Sequence, residues 1–325
     1  MKRIILFLGV LAIVAGTGFS TPQVEVTWPD PEQTITVVVP YGAGGGTDLI
    51  FRPVVEEMKK LSASNIIVSN IGGAGSATGT NEVLNQPADG YTLLASGTHT
   101  VAATLQGLTE GYRQLEGIAS LNWDPFIIAV LRDKPWRSMK DLVEAAAKSP
   151  GTISLGNAGM GGATGVASVG LNLAFDKSFN VTPFSGGADL LANVLGGHCD
   201  VGIFSQSEML ANRDMLRPLV ILYDQHSALA DLKDIPTLQE AGYENLNVPG
   251  GSFRSFSVKK GTPPEVKKKL AEMVNQAYNS KVFQDFMKEK GLLPAYYELE
   301  ELDAYFEELV QAYIPILREA GLLKE

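Results

Sequence analysis

The residues best placed to do chemistry in this chain are glycines that follow β-branched runs. Val37-Val38-Val39-Pro40-Tyr41 leads into Gly42-Ala43-Gly44-Gly45-Gly46-Thr47-Asp48, and a helix-like segment follows. A turn of this composition can aim several backbone N–H groups at one point. The helix N-terminus behind it adds a partial positive charge, so that point attracts anions. No Lys, Arg, His or Cys lies in the stretch. The chemistry it supports is holding a small acid without reacting with it. The same device recurs at Gly72-Gly73-Ala74-Gly75, at Gly156-Asn157-Ala158-Gly159-Met160-Gly161-Gly162-Ala163-Thr164-Gly165 and at Ser185-Gly186-Gly187-Ala188-Asp189.

Reactive side chains are sparse by comparison. His99, His198 and His226 are far apart and pair with no nucleophile or metal ligand at a diagnostic spacing. His99 follows a strand exit, His198 follows Gly196-Gly197 as a turn residue, and His226 sits in a polar loop. Asp48 and Asp189 each open a helix after a glycine loop, where a carboxylate suits the helix dipole. Neither GxGxxG nor a phosphate-cradling G-x-x-x-x-G-K-[ST] loop is present. No metal or cofactor is expected.

The elements that must carry these loops alternate between strand and helix. Ile35–Val39, Ile66–Ser69 and Tyr91–Ala95 read as strands, with helices over Asp48–Lys60 and Ser76–Asn85. This alternation implies parallel βαβ units, whose ligands sit beyond the carboxyl ends of the strands. A second block starts near Phe126. Ser138 and Asp141 open a helix that stops at Pro150-Gly151, and strands at Ile153–Leu155 and near Val181–Phe184 run into the third and fourth loops. The second half thus repeats the first half's device, which implies two lobes with a cleft between them. Thr262-Pro263-Pro264-Glu265 reads as a capping box with proline at the first helical position. Val266, Leu270, Met273, Val274 and Ala277 then share a face. Asp303–Glu319 is a last amphipathic helix with Pro315 as an interruption, and Pro53 is expected to bend the first helix.

Composition bounds the rest. The 325 residues are 45% hydrophobic and 19% charged, which is globular, and the length allows two domains. Met1-Lys2-Arg3 followed by the apolar block Ile4–Val14 and small residues reads as a signal peptide over 1–20, cleaved after Ser20. The block is short for a membrane anchor, the alternative reading, which needs roughly 20 apolar residues. The single cysteine, Cys199, excludes lipid attachment at the cleavage site and an internal disulfide. The formal charge is −10 at pH 7, and losing Lys2 and Arg3 with the leader makes it −12. So acidic a chain is a poor partner for nucleic acid.

The ordered set of motifs resembles the substrate-binding subunit of tripartite tricarboxylate transporters, the Bug family, over roughly residues 34–322. The carriers are Val38-Val39-Pro40 through Gly44-Gly45 and Thr47-Asp48 with Arg52, then Val68-Ser69-Asn70-Ile71-Gly72-Gly73-Ala74-Gly75. Asp89-Gly90-Tyr91-Thr92-Leu93-Leu94, Pro183-Phe184-Ser185-Gly186-Gly187, Leu195-Gly196-Gly197-His198-Cys199-Asp200, Pro236-Thr237-Leu238-Gln239-Glu240-Ala241-Gly242 and Gly261-Thr262-Pro263 complete it. The third loop departs from the family pattern, with glycine at Gly162 and Gly165 where a hydroxyl and a histidine are common, and Thr164 as the nearest substitute. Gly251-Ser252-Phe253-Arg254-Ser255-Phe256 stands where the family shows a tryptophan-containing run.

The resemblance implies an α/β, two-lobed periplasmic-binding-protein fold of type II-like design, each lobe a mostly parallel sheet flanked by helices. Lobe one is expected over 34–126 and 246–325 and lobe two over 127–245. It implies Ala43, Gly44 and Thr47 on one wall, Gly161, Gly162 and the Gly186–Ala188 turn on the other, and Ser96 and Thr98 facing the distal end of the ligand. Tyr41, Asp48, Met160, Ala163, Thr164 and Asp189, from the same loops, complete the candidate site. The implied function is a periplasmic, non-enzymatic and monomeric binding protein. It takes a small di- or tricarboxylate and delivers it to integral membrane permease subunits by hinge closure. The alternatives are an anion-binding, transferase-like enzyme on the same scaffold and a protein that presents ligand to a sensor kinase.

Overall fold

The computed structural model describes residues 28–244, 246 and 248–324, so the signal-peptide reading lies outside the described residues. In chain order the elements begin β1 (Thr34–Val39), α1 (Gly46–Leu61), β2 (Asn65–Asn70), α2 (Ala77–Asn85), β3 (Thr92–Gly97), α3 (Thr98–Leu105) and α4 (Gly111–Gln114). The long strand β4 (Leu115–Leu131) follows, then α5 (Met139–Lys148), β5 (Ile153–Asn157), α6 (Ala163–Ala174), β6 (Phe179–Pro183), α7 (Gly187–Leu195), β7 (Val201–Ser205), α8 (Gln206–Ala211) and β8 (Leu216–Ile221). The chain ends with β9 (Gly251–Lys259), α9 (Pro264–Tyr278), α10 (Lys281–Lys290), β10 (Leu293–Pro294) and α11 (Leu299–Glu319).

The strands run in the order β2-β1-β3-β9-β4-β7-β5-β6, with β8 and β10 added against β4. The parallel pairing expected from βαβ alternation holds in the outer strands: β1 with β2 and β3, and β5 with β6 and β7. The middle is antiparallel, because β9 returns between β3 and β4. In each half the first strand lies between the two that follow it, so the repeated loops are matched by a repeated topology. What appears in the sequence as a new block near Phe126 is one continuous strand. Leu115–Pro125 of β4 pairs with β9, and Phe126–Leu131 pairs with β7 and β8.

Each side of that crossing has its own apolar core. Val37, Val39, Phe51, Val54, Leu93, Phe256, Leu270 and Val274 pack on one side, and Phe126, Ile128, Leu142, Leu155, Ala167, Val201 and Val220 on the other. The predicted face of α9 is buried at Val266, Leu270, Met273, Val274 and Ala277. Ser138 and Asp141 form the capping box of α5. The capping box expected at Thr262 does not form: Pro263 is the N-cap, and the Thr262 hydroxyl turns back to donate to the Lys259 carbonyl at 2.8 Å. Pro264 does open the helix. α1 and α11 run through Pro53 and Pro315, so Pro315 does not interrupt the last helix.

Candidate functional site

All four glycine loops leave the carboxyl ends of parallel strands, and three of them enter helices with no side-chain cap. The N-caps of α1, α6 and α7 are Gly45, Gly162 and Gly186. The first N–H groups of a helix have no partner within it. Gly46 at the start of α1, Ala163 and Thr164 at the start of α6, and Gly187 at the start of α7 all line one cavity of about 50 Å³. Three helix N-termini with glycine N-caps therefore border the same small space.

Several loop amides ahead of those helices are already bonded to side chains of their own loops. The Asp48 carboxylate accepts from Gly44 N–H at 2.9 Å, Arg52 Nε at 2.8 Å and Asn70 Nδ2 at 2.9 Å. Burial pushes that carboxyl up, but the bonds from Arg52, Gly44 and Asn70 outweigh burial and hold it below the usual range. Asp189 accepts from Ser185 N–H at 3.0 Å, Thr164 Oγ1 from Ala158 N–H at 3.0 Å, and Asn157 Oδ1 from Gly159 N–H at 2.9 Å. Asp48 and Asp189 thus fasten their own loops. The free donors lie one to three residues further on, in the first turn of each helix.

The two sides of the crossing meet at these loops. A Cβ on Gly75, where φ is +64°, would lie 2.5 Å from Gly161 Cα, so the second and third loops touch backbone to backbone. Gln106 Nε2 donates to the Met160 carbonyl at 3.0 Å. Tyr41 stands between the walls. Its hydroxyl lies 2.9 Å from where a Cβ on Gly162 would be, and its ring meets His99 edge-on at 5.3 Å between centroids. Burial pushes the Tyr41 phenol well above its ordinary value, against weaker pulls from Ser76 and Arg254.

The floor carries the charge. Arg254 of β9 is 2% exposed, and its Nη1 donates to Asp124 Oδ2 at 3.3 Å, Asp124 being fully buried. Burial pushes the Asp124 carboxyl up, while Arg254 and the Ser207 hydroxyl (2.7 Å) pull it down. Arg254 Nε is buried without a partner. Facing it, Glu208 accepts from Gly46 N–H at 3.1 Å across the cleft, and from Ser205 N–H and Oγ at 3.0 and 2.9 Å. A Cβ on Gly46 would lie within 3.2 Å of Ser205 Oγ, Arg254 Nη2 and Glu208 Cδ, so a side chain here would press on all three.

Of the candidates named from sequence, Tyr41, Thr47, Ala163, Thr164 and Gly187 line the cavity. Gly186 lies against the Tyr41 ring, and Gly161 and Gly162 sit in the contact between walls. Met160 contributes its carbonyl to that contact rather than a side chain to the cavity. Ala43 and Gly44 face solvent, and Ala188 and Asp189 are exposed. α1 begins at Gly46, two residues earlier than expected, and with Gly46 N–H held by Glu208 the cavity-lining amide of that first turn is Thr47. Ser96 is fully buried, and its Oγ contacts Ser255 Oγ at 2.8 Å and Ser257 Oγ at 2.6 Å within the β3–β9 pair. Thr98 is likewise fully buried and outside the cavity lining. Ser96 belongs to the sheet and Thr98 to the root of α3, and neither lines the cavity.

Arg254, Glu208, Ser205 and Asp124 were absent from the sequence-derived site. The signal for Arg254 was a lone cation inside the strand-like run Phe253–Phe256, where a fully buried charge needs a special reason. Ser205-Gln206-Ser207-Glu208 carried the S-x-x-E pattern of a capping box, which it forms.

His99 lines the cavity as a neutral ring. Nε2 is 3.1 Å from the Ala95 carbonyl, and burial, with a smaller push from Arg254, lowers its pKa to about 3. Unfolded, the imidazole titrates near its ordinary value of 6.5. Between those values the unfolded chain binds a proton that the folded one refuses. Stability from this group is therefore complete above about pH 6.5 and lost as pH falls toward 3, at up to about 1.4 kcal/mol per unit. Urea unfolding between pH 7 and 5 should show a shallower pH dependence in His99→Gln than in the parent. Equal slopes would mean that the ring stays protonated in the folded protein.

Residues 50–322 match the family model described as tripartite tricarboxylate transporter family receptor. Protein BugT of Bordetella pertussis is 24% identical over 328 residues, covering 99% of this chain and 98% of BugT. Among solved structures, the periplasmic binding protein BugD superposes with a TM-score of 0.82 at 26% identity, over 91% of this chain and 100% of BugD. MatC from Rhodopseudomonas palustris, solved with bound malate, superposes with a TM-score of 0.81 at 21% identity, over 89% of this chain and all of MatC.

Proposed function

The chain belongs to the tripartite tricarboxylate transporter receptor family, and from that premise we propose that it captures a small organic carboxylate outside the cytoplasm and delivers it to membrane permease subunits. Binding is non-covalent. The acid lies between lobe one, 34–126 with 246–325, and lobe two, 127–245, and the lobes close on it about the β4 and β9 crossings. Supporting this division, β4 changes partners at Pro125–Phe126, and β9 starts at Gly251. The malate in MatC supports a carboxylate as ligand class.

The observation that carries the reading is the meeting of three helix N-termini with glycine N-caps, α1, α6 and α7, around one cavity that Arg254 also lines. Donors fixed by the fold lose little entropy on binding, and each charge-assisted bond contributes about 1.5–3 kcal/mol. Several such bonds, less the cost of association, suffice for micromolar affinity, about −8 kcal/mol. Isothermal titration of protein stripped of co-purified ligand, against di-, tri- and amino-carboxylates, should give heat with at least one acid. Silence across the panel would reject the proposal.

A further inference from the structure

Four residues that line the cavity can ionise: Tyr41, His99, Glu208 and Arg254. Burial holds Tyr41 and His99 neutral near pH 7. The wall therefore carries one fixed anion and one fixed cation. They lie close together, since Arg254 Nη2 and Glu208 Cδ are each 3.2 Å from the point a Cβ on Gly46 would occupy, and so are at most about 6.4 Å apart. Yet they are not an ion pair: Arg254 pairs with Asp124 behind it, and among the described residues Glu208 has no cationic partner. Arg254, 2% exposed, retains a buried Nε with no partner.

We propose that the ligand is a zwitterion, an amino acid-like molecule whose carboxylate meets Arg254 and the free helix amides while its ammonium group meets Glu208. The assignment rests on the carboxylate-capture reading above and narrows it. The three bonds that Glu208 accepts leave room for about one more donor on a carboxylate. An ammonium group fills that place and supplies the counter-charge. A second bare carboxylate there would lie against Glu208, and like charges repel in so narrow a site. Glu208 thus sets specificity at the point where the backbone donors of α1 cannot, because amides accept any carboxylate alike.

The test is a series on one four-carbon diacid skeleton that changes only the α-substituent: succinate (hydrogen), malate (hydroxyl) and aspartate (ammonium). Isothermal titration should rank aspartate at least about tenfold tighter than succinate, with malate between, tenfold being what one charge-assisted bond supplies. In Glu208→Gln, which keeps the capping-box geometry because glutamine serves at that position, aspartate should weaken at least about tenfold and succinate should tighten. The series on the unaltered protein decides the matter even if the variant folds poorly. Succinate equal to or tighter than aspartate would overturn the zwitterion assignment, and so would plain di- or tricarboxylates binding while no amino acid, longer or branched ones included, gives heat. In both cases carboxylate capture would stand. If no acid of any kind gives heat, both readings fall together.

Discussion

Arg254→Met is expected to lower stability by about 3–5 kcal/mol and to abolish ligand binding. The energy comes from what the substitution leaves behind. Asp124 is fully buried, and its partners are Arg254 and Ser207. Removing one member of a buried pair strands the other charge away from water, and the loss exceeds what the pair itself contributed. The site is also structural: β4 and β9, which hold Asp124 and Arg254, are adjacent antiparallel strands where β4 passes from one sheet to the next. Adding Asp124→Asn to Arg254→Met removes the stranded charge and should recover most of the stability without restoring binding, since the guanidinium is still missing. Urea unfolding and calorimetry on the single and double variants separate the two roles. A single variant within 1 kcal/mol of the parent, or a double variant no more stable than the single, would show that Asp124 does not depend on Arg254 for its charge.

Gly75→Ala is expected to leave both cores folded and to weaken ligand binding at least about 100-fold. The glycine has a φ of +64°, and an added Cβ would sit 2.5 Å from Gly161 Cα and 2.6 Å from its N. Both collisions are with backbone, so no rotamer relieves them. The two loops must move apart, and the α6 donors move away from the α1 donors. Losing two charge-assisted bonds at about 1.5–3 kcal/mol each gives a factor of this order. Neither loop lies in an apolar core, so the thermal transition should fall by little more than the cost of a left-handed alanine, about 1–2 kcal/mol. Trp123 is a reporter for the same motion, since it lies on β4 near the crossing with its ring 6.4 Å from that of Tyr223. Its fluorescence should respond to ligand in the parent and not in the variant. Unchanged affinity in Gly75→Ala would mean that the two walls need not meet for binding.

Local chemistry accounts for what could be read before folding. The run Val37–Val39 into glycines, the periodic face of α9 and the Ser138–Asp141 capping box all involve neighbours within one or two turns, where residue type dictates backbone geometry. The four glycine loops were visible for the same reason, and all four follow parallel strands. Where local rules compete, they misplaced detail. The glycines ahead of α1 hid a helix that starts at Gly46, and Thr262 capped its own turn instead of α9.

The charged floor of the cleft belongs to the tertiary structure. Gly46 and Glu208 are 162 residues apart, and Asp124 and Arg254 are 130 apart. They meet only because β9 returns between β3 and β4 while β4 continues into the second sheet. Ser96 was drawn out of the expected site by the same return, which set it against Ser255 and Ser257. Residue type determines where glycine loops lead into helix N-termini, because backbone amides there are the same in any glycine loop. Which side chains stand opposite those amides is decided by strand order, a property of the whole chain.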